Sequence, residues 1–233
     1  MRITGAQVFD LQEGFVQRDI CFDGRLLSGS SADGKTYDAS GCYVIPGLTD
    51  VHFHGCMGRD FSDAEPEGLE IMAQYELSRG VTQICPAGMT LTEEQLTKIC
   101  QVAAAHRAAD KPGAALCGIN PFLSMAKKGA QNGAWLHAPD VAMFRRLMAA
   151  SQGLVKLVSI APEEPGAMEF IEAVEGEVTV SIAHTTADYD TSMEAFRLGA
   201  RQVTHLFNAM PAFSHRAPGV VGAALDTPLC NVE

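Results

Sequence analysis

Apolar and polar positions alternate with a period of about two along residues 1 to 45. Ile3, Ala6, Val8 and Phe9 are followed by Phe15, Val16, Ile20 and Phe22, with turns at Asp23-Gly24 and Asp33-Gly34. That spacing predicts short strands and no helix. After Pro46 the pattern changes to strand alternating with helix. Strands are predicted at Leu48 to His54, Val81 to Cys85, Ala114 to Ile119, Leu154 to Ala161, Val178 to His184 and Val203 to Leu206, and Leu229 to Glu233 opens a seventh. The first predicted helix is capped at Ser62 or Asp63 and ends at Gly80. The second opens on the capping box Thr92-Glu93-Glu94-Gln95 and carries Leu96, Ile99, Cys100 and Ala103 on its apolar face. A third is capped by Asp140, a fourth runs from Pro165 to Val174, and a fifth opens on Thr191-Ser192-Met193-Glu194 and closes at Gly199. The stretch after Leu206 reads as a long loop.

Strand–helix units of roughly 25 to 40 residues predict a parallel sheet with helical crossovers. The expected fold class is α/β, in two parts. Residues 1–45 form a small β domain. Residues 46–233 hold about six strand–helix units, against about 250 residues for a complete eight-unit (β/α) barrel, so the chain either closes differently or stops early.

Composition narrows the partners. The chain has 233 residues, 47% of them hydrophobic, enough for a real core. A net charge of -11 and a pI near 5.0 argue against nucleic acid or an anionic membrane, both polyanions, as partners. The seven cysteines (21, 42, 56, 85, 100, 117 and 230) are scattered without a C-x-x-C pair, the usage of a reducing compartment. Met1 to Ala6 lacks an apolar signal core, and no apolar run reaches the roughly 18 residues of a membrane span. A cytoplasmic protein is expected.

Four of the seven histidines fall at predicted strand C-termini: His52 and His54 on the first strand, His184 on the fifth and His205 on the sixth. In parallel α/β folds ligands gather at that edge. An imidazole facing an apolar core needs a hydrogen-bond partner, and histidine is the commonest nitrogen ligand of zinc. The placement therefore points to shared metal ligation. His106, late in a helix, reads as structural, and His137, before Ala138-Pro139, as a surface residue. His215, beside Arg216 in the loop after the sixth strand, is open between substrate contact and solvated loop.

The H-x-H on strand one with single histidines on strands five and six resembles the amidohydrolase superfamily. More narrowly, five segments resemble the N-acetylglucosamine-6-phosphate deacetylases, in order and over nearly the whole chain. These are Pro46-Gly47-Leu48-Thr49-Asp50-Val51-His52-Phe53-His54-Gly55, Lys127-Lys128-Gly129-Ala130-Gln131-Asn132, Ile160-Ala161-Pro162-Glu163, His184-Thr185-Thr186-Ala187 and His205-Leu206-Phe207-Asn208-Ala209-Met210. The resemblance implies a TIM-like (β/α) barrel domain of the metal-dependent-hydrolase type over residues 46–233, incomplete at about six to seven of eight units, with residues 1–45 forming a partial small β domain, the N-terminal β-sandwich portion. It implies removal of acetate from a 2-acetamido sugar phosphate, using one or two divalent ions, zinc first, with iron, cobalt or manganese as alternatives. By the same resemblance His184 and His205 would bind the principal ion and His52 and His54 would help bind a second. Asn208, the Ala209 amide, Arg216, Gln131 and His215 would contact the sugar phosphate, and the full-length protein would be a homodimer.

Two departures from that family stand out. Its strand-three Glu-Gly-Pro, which carries a metal-ligating glutamate, has no full counterpart in Gly118-Ile119-Asn120-Pro121-Phe122: Pro121-Phe122 match the residues just after that glutamate, and about three residues, the ligand among them, are absent. Its proton-transferring aspartate would lie beyond Glu233, so a C-terminally truncated chain with no identifiable catalytic base is expected. Two rival readings follow: a non-catalytic metal or sugar-phosphate binding protein, and another amidohydrolase acting on a cyclic amide or a nucleobase.

Overall fold

A computed structural model describes the protein except for residues 24–25, 29–33, 122–134 and 136. Gly24 and Asp33 of the two predicted early turns, and Gln131 with the whole Lys127 to Asn132 segment, fall on residues outside that description. The chain divides into two compact units, Met1–Leu48 and Thr49–Glu233.

The first unit is all β: β1 (Arg2–Thr4), β2 (Gln7–Asp10), β3 (Gly14–Gln17), β4 (Ile20–Asp23), β5 (Leu26–Ser28), β6 (Thr36–Asp38) and β7 (Tyr43–Val44). They form two sheets, ordered β5-β4-β1-β6 and β3-β2-β7. The β2–β3 hairpin pairs Val8 with Val16 and Phe9 with Phe15. Its turn is held by Asp10, whose Oδ1 accepts the amides of Gln12 at 2.9 Å and Glu13 at 3.2 Å, and by Gly14 at φ 74°. Among the described residues of this unit only Ala6 is buried.

The second unit alternates strand and helix. In chain order it contains β8 (Leu48–Asp50), a short hairpin of β9 (Gly55–Cys56) and β10 (Arg59–Asp60), α1 (Pro66–Ser78), β11 (Val81–Ile84), α2 (Glu93–Ala109) and β12 (Ala115–Leu116). Then come α3 (Val141–Ala150), β13 (Leu157–Ile160), α4 (Ala167–Ala173), β14 (Thr179–Ile182), α5 (Tyr189–Leu198), β15 (Ala200–Val203), α6 (Gly219–Leu225) and β16 (Asn231–Val232).

Two sheets, β8-β11-β12 and β13-β14-β15-β16, carry this unit, and a parallel bridge between Ile119 and Val155 joins them into one sequential series. Pairing is parallel from β11 to β12 and from β13 through β16. Bonds from Cys85 N to Asp50 O and from Ala87 N to Phe53 O advance together, the sense of a parallel pair. Among the described residues no ladder joins β16 to β8, so no closed barrel is present.

Packing explains why the strands are so apolar. All four residues of β13 are buried, as expected of a parallel strand with both faces covered. The core joins Leu69, Met72, Ile84, Leu96, Phe144, Leu147, Phe170 and Ile171, with Phe144 and Phe170 edge to face at 5.8 Å. Each such side chain contributes about 1.5–3 kcal/mol on burial.

Several predicted boundaries are corrected. The helix start expected at Ser62 or Asp63 is instead a separate 3-10 turn, Phe61–Asp63, capped by Asp60; α1 begins at Pro66, whose missing N–H suits the first helical position. The α2 box is present as predicted, with Thr92 Oγ1 accepting Gln95 N at 3.3 Å and Gln95 Oε1 accepting Thr92 N at 3.0 Å. Thr191 does not cap α5; Asp188 does, taking the Thr191 amide at 2.8 Å. Helix α6 was read as loop. Its sequence Gly-Val-Val-Gly-Ala-Ala-Leu is buried from Gly219 to Ala224, so it has no polar face from which a helical period could be read.

Candidate metal centre

Because the strands from β11 to β16 share one direction, the residues that leave them collect along one edge. Strand β8 stops at Asp50, short of the predicted His54. Asp50 Oδ1 accepts the His52 amide at 3.0 Å, a local turn after which Phe53 O again accepts Ala87 N. The period of two is therefore not what brings the H-x-H rings together. They meet all the same, with His52 Nε2 3.4 Å from His54 Nε2.

The second pair forms in a different way. His184 and His205 each lie two residues past a strand, β14 and β15, rather than on it, and both adopt left-handed backbone, φ 48° and 37°. Such a conformation is uncommon for a non-glycine residue, though histidine is among those that tolerate it. The turns point the rings at each other, with 3.1 Å between their Nε2 atoms. The His52 and His205 ring centroids are 6.2 Å apart, which brings the two pairs into one cluster.

Hydrogen bonds set the tautomers. His54 Nδ1 lies 3.0 Å from the Ala87 carbonyl, which can only accept, so Nδ1 carries the proton and Nε2 the lone pair. Burial holds His54 below the usual histidine range, opposed by that carbonyl, and so favours the neutral ligating form. His52 Nδ1 lies 2.6 Å from Glu233 Oε2, an arrangement of carboxylate behind imidazole that leaves Nε2 as the free base. The other Glu233 oxygen accepts from Gln202 Nε2. His205 Nδ1 is buried without a hydrogen-bond partner among the described residues.

Two nitrogens each about 2.1 Å from a tetrahedral ion lie about 3.4 Å apart, and the observed 3.4 and 3.1 Å match that spacing. Each imidazole pair thus fits a divalent ion. The match is pairwise, because among the described residues no group of three or more His, Cys, Asp or Glu could hold one ion. At the end of the third strand, where the resemblance's glutamate is absent, Asn120 is fully buried, its Oδ1 accepting Ser159 Oγ at 3.3 Å and its Nδ2 without a hydrogen-bond partner among the described residues.

Among the described residues the remaining predicted contacts follow β15, apart from His137. Asn208 is exposed and bonds back to the Leu206 carbonyl at 3.4 Å. Ala209 is left-handed at φ 51°, and its carbonyl accepts the Thr185 amide at 3.0 Å. His215 and Arg216 are exposed in a loop closed by Ser214 and Ala217. His137 is half-buried rather than a surface residue, with Nε2 2.8 Å from the Leu91 carbonyl. Sequence reading missed Asp50, Glu163 and Glu233 as parts of the site. Glu163 and Glu233 follow strands just as the histidines do, and that shared placement was the available signal.

Parallel strands whose exits carry an H-x-H and two further histidines define a class of hydrolase, and the Amidohydrolase family model matches residues 43–228. The chain belongs to the amidohydrolase family. Within it, the chain is similar to the N-acetylglucosamine-6-phosphate deacetylase of Bacillus subtilis (strain 168), 36% identical over 189 residues, covering 78% of this chain and 48% of that one. It is also similar to the Bos taurus protein of the same name, 37% identical over 194 residues, covering 79% of this chain and 47% of that one. The chain spans about half the length of the curated relatives it matches. Among solved structures, the Mycobacterium smegmatis deacetylase matches at 27% identity with a TM-score of 0.86, covering 100% of this chain and 62% of that one. A Pasteurella multocida deacetylase matches at 27% identity and a TM-score of 0.86, covering 99% and 63%.

Proposed function

We propose that this chain carries the metal-binding half of an N-acetylglucosamine-6-phosphate deacetylase, hydrolysing the 2-acetamido group to release acetate and leave glucosamine 6-phosphate. The convergence of His52, His54, His184 and His205 at one strand edge is the observation that carries the proposal. Two comparisons support the choice of substrate: the curated relatives bear that name, and a mutant of the M. smegmatis enzyme was solved in complex with N-acetyl-D-glucosamine-6-phosphate. The sequential parallel strands fit an incomplete (β/α) barrel.

Amidohydrolases typically depend on a divalent metal. When bound, such an ion lowers the pKa of water toward about 7 and polarises an amide carbonyl. His184 with His205, and His52 with His54, are the residues that would hold it, zinc being the first candidate for nitrogen donors. Their lone pairs are already directed: the Ala87 carbonyl and the Glu233 carboxylate hold the protons of His54 and His52 at Nδ1. Arg216 offers a planar fork for the phosphate, which answers how an acidic chain holds an anion. Asn208, the Ala209 amide, His215 and Gln131 complete the proposed sugar-phosphate contacts. The seven free thiols suit a cytoplasmic setting. No helix among the described residues is long and apolar enough to cross a membrane.

A second reading, binding without turnover, is favoured by one observation: the stretch Gly118 to Phe122 holds no anionic ligand where the resemblance expects one. Acetate release from N-acetylglucosamine 6-phosphate with added zinc decides between them. Turnover supports the deacetylase. Calorimetric binding of the sugar phosphate with no acetate formed supports the second reading, and hydrolysis of a cyclic amide or nucleobase alone overturns both.

A further inference from the structure

One carboxylate laces together the exits of three consecutive strands. Glu163 lies three residues beyond β13 and, among the described residues, receives its hydrogen bonds from the segment that follows β14. The Thr185 hydroxyl donates to Oε2, while the Thr186 amide and hydroxyl both donate to Oε1, the hydroxyl at 2.8 Å. Thr185 also sends its amide to the Ala209 carbonyl at 3.0 Å, in the segment after β15. Its hydroxyl oxygen accepts the Ala187 amide at 2.9 Å. Thr185 is fully buried. Every polar group of its backbone amide and side chain is thereby assigned a partner, and its neighbour His184 is the left-handed residue of the second imidazole pair.

A left-handed histidine persists only where its surroundings over-determine it. Thr185 supplies that constraint from one side, and its hydroxyl and the Thr186 amide have a fixed direction because a charged acceptor takes both. Hydrogen bonds to an ionised acceptor are shorter and stronger than neutral ones. Among the described residues the three donors to Glu163 are neutral, so the carboxylate holds the shape of the turn rather than an ion pair.

We propose that Glu163 is a positioning residue: through Thr185 and Thr186 it fixes the turn at His184 so that Nε2 faces His205. It thereby sets how tightly, and in what geometry, that pair takes a divalent cation. The proposal rests on reading His184 and His205 as metal ligands.

The test uses the whole chain, with zinc affinity measured by competition against a chromogenic chelator and ligand geometry read from the visible absorption of bound cobalt. Glu163→Ala is expected to weaken zinc binding on the order of 10–100-fold and to change the cobalt spectrum, with far-ultraviolet circular dichroism unchanged. Glu163→Gln keeps an oxygen for the Thr186 amide and a polar partner for the Thr185 hydroxyl, and is expected to recover most of the affinity. Thr185→Val removes the hydroxyl at nearly constant shape; it is expected to weaken binding in the same direction and decides the matter if Glu163→Ala does not fold. A folded Glu163→Ala or Thr185→Val with wild-type zinc affinity and cobalt spectrum overturns the proposal. His184→Ala separates the two levels. If it too binds zinc like the wild type, the metal-ligand reading falls and the positioning role with it. If it loses affinity while the Glu163 and Thr185 variants keep theirs, only the positioning role is wrong.

Discussion

Imidazoles at strand ends were legible in the sequence because histidine is costly to bury and useful to a metal. What the sequence did not disclose is what stands behind each ring. Glu233 meets His52 at 2.6 Å across 181 positions of chain, a separation that no local pattern encodes. Removing that acceptor leaves His52 free to protonate at either nitrogen. Glu233→Ala is therefore expected to lower zinc affinity on the order of 10–100-fold and, in the metal-free protein, to abolish the Nδ1–H preference of His52 seen by nitrogen-15 NMR. An unchanged tautomer ratio would show that the contact does not direct the lone pair. At the phosphate end of the proposed site, Arg216→Ala is expected to weaken N-acetylglucosamine 6-phosphate binding more than tenfold while leaving zinc affinity intact. Equal loss of both, by calorimetry, would place Arg216 in the fold rather than at the ligand.

Among the elements, α2 is the best specified by its own sequence. Its capping box, its first-turn acids Glu93 and Glu94 and its last-turn His106 and Arg107 all agree with the helix dipole. Thr92→Ala should cost about 1 kcal/mol of unfolding free energy, measured by urea titration; a change within error would mean that tertiary packing alone holds that terminus. The apolar face of α2 buries the Cys100 thiol, and burial pushes it up to about 12 from its ordinary 9.0. Between those values the unfolded chain has lost the proton and the folded one keeps it, so the unfolded state binds fewer protons and stability falls as pH rises. The alkaline loss of stability from pH 9 to 12 should be shallower in Cys100→Ala than in the wild type, a difference that equal slopes would refute. By contrast, α6 and the strand ends were poorly legible. Six consecutive buried residues, Gly219 to Ala224, show no period, and Asp50 ends β8 through a side-chain bond to the His52 amide.

At the scale of the whole molecule, period and spacing sufficed to separate an all-β beginning from an alternating remainder, since two and 3.6 are easily told apart. They did not give stability, which follows burial. With Ala6 the single buried residue among those described in Met1–Leu48, that unit has little apolar area to hold it closed. Amides of β1 to β4 are expected to exchange with deuterium well before those of β13 to β15, where the ladder is enclosed. Simultaneous exchange of both regions would indicate one cooperative unit. The order of the parallel strands has a consequence for biosynthesis. From β8 onward each main strand lies beside the one made just before it, so a nascent chain leaving the ribosome can dock each new segment on sheet already formed, with no need to await distant sequence.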